Sequence, residues 1–147
     1  MREILFRGKC IETGQWVYGS FVMDGTELTA IENGKKPLAS WGFIRRYNAE
    51  TGNAEMFEVD RETVGQYIGL ICNHGKHDGE KIFEGDIVNR YSFTGKRDLK
   101  GAPVEFDGFC MQWAAAGTCL YGEMCADILE IIGNIHDNPE LLGNAHE

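Results

Sequence analysis

Apolar and polar positions along this chain change places every one or two residues, and no helical period persists. Near the start, Ile4 and Phe6 only partly separate from Glu3, Leu5 and Arg7. The next run, Trp16 to Met23, is rich in aromatic and β-branched residues, as strands are. Glu12-Thr13-Gly14-Gln15 stands between the two runs, and the pair reads as a β-hairpin. Asp24-Gly25 predicts a second turn leading to Glu27–Ile31, and Asn33-Gly34 closes that piece. The N-terminal third is therefore expected to be a β-meander.

Residues 33–55 carry turn chemistry at both ends, with the short apolar run Trp41-Gly42-Phe43-Ile44 between. They predict a loop or hairpin arm outside the core. Trp41, Phe43 and Tyr47 are read there as ordinary packing, with cover for a partner as the alternative. Met56–Asp60 predicts a strand, and Asp60–Val64 one helical turn capped by Asp60. Gln66–Cys72 and Lys81–Glu84 predict strands around a polar tip, Asn73–Glu80. Glu84-Gly85-Asp86 then feeds the strand Ile87-Val88. Further strands are expected at Pro103–Phe106, Phe109–Trp113 and Asp127–Ile132. Asn138-Pro139 suits the start of a short closing helix, with Asn138 as its cap and Pro139 at the first position. No amphipathic helical run longer than about ten residues stands out. The expected class is mainly β, with little helix.

Composition narrows the function. The chain has 147 residues, 43% of them hydrophobic and 11% aromatic, which excludes a disordered polymer. Glycine occurs 19 times, fitting many tight turns. Fourteen basic against 23 acidic side chains leave a net charge of −9. That argues against a whole-protein grip on nucleic acid, which needs a basic face. No apolar run reaches the roughly 18 residues of a membrane span, and the start is not a secretory signal. The expectation is a cytoplasmic protein with no membrane partner. The five cysteines are odd in number and form no C-x-x-C, so they are read as reduced, buried thiols.

Three groups of residues invite a chemical reading. Cys72, His74 and His77 fall within six positions, and all are zinc-ligand types. No second ligand pair accompanies them, so the expected metal and cofactor content is none. Glu84 and Asp86 flank Gly85 as a carboxylate pair, with Asp86 expected to accept backbone N–H bonds at the turn. Tyr91, Phe93, Lys96, Arg97 and Lys100 interleave rings and cations, as nucleic-acid surfaces do. A solvated loop is the expected reading of Lys96–Lys100. No nucleophile with a base in a known local signature is present, so the chain is not expected to be an enzyme.

Four blocks, in this order, resemble the YopX family of bacteriophage and prophage proteins. They are Met1–Gly8, Val64–Leu70, Lys81–Val88 and Ile131–Leu142. The resemblance implies one YopX-like domain over 1–147. It would be two-lobed, with an N-terminal β lobe over about 1–66 and an SH3-like barrel over about 67–147. It supplies no catalytic residue, because the family has no established biochemical activity. The Cys72–Gly79 tip departs from the family pattern, and Gln112–Cys125 is unusually rich in Ala, Gly and Cys. The expected function is a non-catalytic phage or prophage accessory protein working by protein contact. Its expected partner is itself, as a homo-oligomer joined at open β edges, or a host or phage protein. The alternatives are nucleic-acid binding by the barrel, or an acidic mimic of nucleic acid that blocks a host protein.

Overall fold

Frequent glycines and alternating side chains fold this chain into antiparallel strands. The computed structural model describes residues 3–23, 42–92, 94–108, 111–120 and 128–143. Among these stand ten strands, no α-helix, and short 3-10 turns at Gly75–His77 and Pro139–Leu141. None of the helical segments is long and apolar enough to cross a membrane. The chain divides into two compact units, Glu3–Gln66 and Tyr67–Glu147.

The first unit holds β1 (Phe6–Cys10), β2 (Trp16–Met23), β3 (Gly42–Asn48) and most of β4 (Asn53–Ile71). Each strand pairs with the next, and β1 also pairs with β4, so the sheet closes on itself. Val59 marks the closure, opposite Gly42 on one side and Cys10 on the other. Cys10, Val17, Ile44 and Val59 point inward, with Phe6, Phe21, Phe57 and Val64 packed around them. Ile44 is fully buried, a contribution of about 1.5–3 kcal/mol.

Two expectations fail here. The segment Gly42–Asn48 is a core strand and not an arm outside the core, because Ile44 faces Phe21 and Phe57 across the sheet. The helical turn at Asp60–Val64 is instead a bulge within β4, where the pairing with β1 shifts between Arg7 and Lys9. The capping chemistry survives: Asp60 Oδ1 accepts from Glu62 N, and Thr63 Oγ1 accepts from Lys9 N at 2.8 Å. The expected third strand Glu27–Ile31, the Asp24-Gly25 and Asn33-Gly34 turns, and Trp41 lie outside the described residues.

In the second unit the end of β4 pairs with β5 (Lys81–Phe83). A further sheet runs β10-β6-β7-β8-β9, with β6 Asp86–Tyr91, β7 Arg97–Asp107, β8 Gln112–Ala115, β9 Thr118–Cys119 and β10 Ile128–Asn134. Ile68, Cys72, Ile82, Val88, Leu99, Ala102, Val104, Trp113, Leu129 and Ile131 make its core. Arg97–Lys100 opens β7 and is not a solvated loop, because Leu99 points into that core. A bulge between β6 and β7 is closed by Asn89, whose Oδ1 accepts from Gly101 N at 2.9 Å.

Open β edges, the expected place for copies to join, occur in both units among the described residues. In the first sheet, residues 46–48 of β3 pair with β4 alone, and residues 53–57 of β4 pair with β3 alone. At the outer edge of β10, Asn73 donates its N–H to Leu129 O and accepts Leu129 N–H on Oδ1. β5 and β9 are further edges, three and two residues long, too short to template much pairing by themselves.

Candidate functional site

The Cys72–Glu80 turn disperses its three ligand-type side chains. Cys72 is buried; its thiol donates to His74 O and accepts from Ile131 N. The His74 ring meets Tyr91 edge-on, with centroids 5.3 Å apart. His77 Nδ1 lies 2.8 Å from Glu80 Oε2. Among the described residues, no three His, Cys, Asp or Glu side chains are grouped to hold a metal ion. Gly75 fits the turn to β10: its φ is +77°, and a Cβ there would stand 2.6 Å from Glu130 Oε1.

The proposed basic patch is divided. Tyr91 faces Arg97 across β6 and β7, and Lys96 sits at the hairpin end, where its carbonyl accepts from Ser92 N. Lys100 lies away from them, beside Gly143. Phe93 lies outside the described residues. Carboxylates stand in the patch itself. Tyr91 donates its hydroxyl to Glu130 Oε2 at 2.8 Å, and this bond, then burial, raises the Tyr91 pKa. Arg90 grips Asp98 in a bidentate pair at 2.9–3.2 Å. These carboxylates are thus engaged by Arg90 and Tyr91 of β6.

Of the Glu84–Asp86 pair, Asp86 takes the turn role expected of it. Asp86 is buried and accepts from Phe83 N at 2.8 Å, tying the β5–β6 turn.

Cys10 is a buried free thiol at the β1–β2 turn. The Thr13 hydroxyl, then the Thr13 N–H, hold it below the ordinary thiol value, against opposition from burial. The stability this lends is fully present above the ordinary value and lost as pH falls through the lowered one. Thr13→Val is expected to raise the midpoint of Cys10 alkylation against pH. An unchanged midpoint would remove the hydroxyl as its cause.

Cys110 and Cys125 lie outside the described residues.

A surface that no spacing in the sequence displays is the outer face of the first sheet. Ile44 and Phe57 point inward, so their neighbours Phe43, Arg45, Met56 and Glu58 point outward. Arg45 lies opposite Ser20 on β2 and Met56 on β4; Phe43 lies opposite Val22 and Glu58. Tyr18 and Tyr47 extend the same face. Their exposure is high for such side chains: Tyr47 70%, Met56 56%, Tyr18 44% and Val22 38%. Arg46, next along β3, is committed to Glu55 at 3.3 Å and to the Phe57 ring. Neither Arg45 nor Glu58 makes a side-chain hydrogen bond or ion pair among the described residues.

The family model described as YopX protein matches residues 6–143. The chain belongs to the YopX family. No curated protein and no solved structure matches it. Two of the blocks that carry the YopX resemblance meet in the second unit, where Ile135 N donates to Gly85 O at 2.9 Å. Asn134 Oδ1 accepts from His136 N and Asp137 N, shaping the loop after β10. Asn138 precedes the Pro139–Leu141 turn but makes no side-chain cap bond there; its Oδ1 accepts from Asn134 N instead. These YopX-block residues are engaged in backbone geometry.

Proposed function

We propose that this YopX-family chain is a phage or prophage accessory protein that works by protein contact, without catalysis, and self-associates in the host cytoplasm. We read its second unit as an SH3-like barrel serving as scaffold. The observation that carries the reading is the outer face of the first sheet, where Tyr18, Tyr47 and Met56 surround Arg45. Tyr, Met and Arg are the side chains enriched where proteins bury a contact, and a cluster of them on a surface marks such a place.

Sedimentation equilibrium tests it. The wild-type chain is expected at a multiple of 16.5 kDa at micromolar concentration. The double variant Tyr47→Ser, Met56→Ser is expected at 16.5 kDa, with an unchanged melting temperature because both side chains are exposed. A wild-type monomer at high micromolar concentration would overturn self-association.

A further inference from the structure

The outer face of the first sheet carries Arg45 and Glu58, which make no side-chain hydrogen bond or ion pair among the described residues. Arg45 pairs in register with Met56, and Phe43 with Glu58, so Arg45 and Glu58 are diagonal neighbours on adjacent strands. Such neighbours stand about 7–8 Å apart. No ion pair joins them, although Arg46–Glu55 and Arg90–Asp98 do form elsewhere. Around them lie Tyr18, Tyr47, Met56 and Val22, all exposed.

Resting on the reading above, we propose that this face binds the same face of a second copy about a two-fold axis, setting Arg45 of each copy against Glu58 of the other. A two-fold contact requires a patch complementary to itself: if one residue meets another, the reverse contact forms as well. A cation and an anion side by side within an apolar patch meet that requirement, because rotation by 180° exchanges their places. The apolar side chains supply the buried area, and the two ion pairs fix the register. The same layout disfavours nucleic acid at this face, because Glu58 would meet the phosphates.

Charge reversal tests the pairing in the full chain. Arg45→Glu and Glu58→Arg each place like charges together twice in a homodimer. Each is expected to lower the association constant at least tenfold, with the wild-type melting temperature measured at a concentration where both are monomers. Mixing the two variants matches opposite charges at both positions, so a one-to-one heterodimer is expected. The double variant Arg45→Glu, Glu58→Arg is expected to associate with itself again. Single variants that associate like wild type would overturn this pairing and leave self-association standing. Loss in both variants without recovery on mixing would overturn the two-fold arrangement. A wild-type chain that stays monomeric would overturn both the pairing and the reading it rests on.

Discussion

Gly19→Ala is expected to unfold the first unit's sheet at the β2–β3 seam. An ideal Cβ at Gly19 would stand 2.3 Å from Arg45 O and 3.1 Å from Ile44 Cγ2. The nearer atom is backbone of the adjoining strand and cannot rotate aside as a side-chain tip can. Relief therefore demands that β3 move, and β3 carries Ile44 into the core and Arg45 onto the outer face. Overpacking of this kind costs about 1–3 kcal/mol, occasionally more, and the backbone obstruction puts this case at about 3 kcal/mol. Gly108→Ala is the control, because nothing lies within 4 Å of its Cβ position; it is expected to stay within about 0.5 kcal/mol. Urea unfolding of both variants decides the matter. A Gly19→Ala midpoint equal to that of wild type would mean that β2 and β3 do not lie together as described.

Asp86→Ala is the second large effect, and it falls on the second unit. The Asp86 side chain is almost fully buried and accepts the Phe83 N–H at 2.8 Å. Its removal takes that acceptor from a buried donor, at a cost of about 1–3 kcal/mol. The next residue, Ile87, is fully buried and lies opposite Pro103 on β7, so loosening the turn also frees a core strand. Asp86→Asn keeps an oxygen in place and is expected to lose about half as much. Equal losses in the two variants would assign the effect to charge and not to the Phe83 bond.

Sequence showed some of this fold plainly and concealed the rest for identifiable reasons. The Trp16–Met23 and Lys81–Phe83 runs are apolar enough to declare strands. Asp86 was legible as a turn acceptor because a carboxylate after glycine at a strand start has little else to bond. Gly42–Asn48 was concealed because turn residues flank it and Arg45, Arg46 and Tyr47 follow in succession, leaving Ile44 as its only large fully buried residue. Asp60 signalled a cap correctly, but a cap bond serves a bulge as well as a helix, and only the pairing of β4 with β1 distinguishes them. Arg97–Lys100 resembled a loop because Leu99 is its only apolar residue. The outer face was beyond reach for another reason. Tyr18, Arg45 and Met56 lie on three strands far apart in sequence, and only strand order and register bring them side by side.

Oxidative footprinting across a concentration series tests the claim that the protein works through this face. Met56 and Tyr47 on the first unit can be compared with Met111 and Phe106 on the second, which are 71% and 44% exposed. As concentration rises and the sedimenting mass grows, modification of Met56 and Tyr47 is expected to fall several-fold, with Met111 and Phe106 unchanged. Growth in mass with Met56 and Tyr47 still fully modified would place the contact elsewhere and contradict the account.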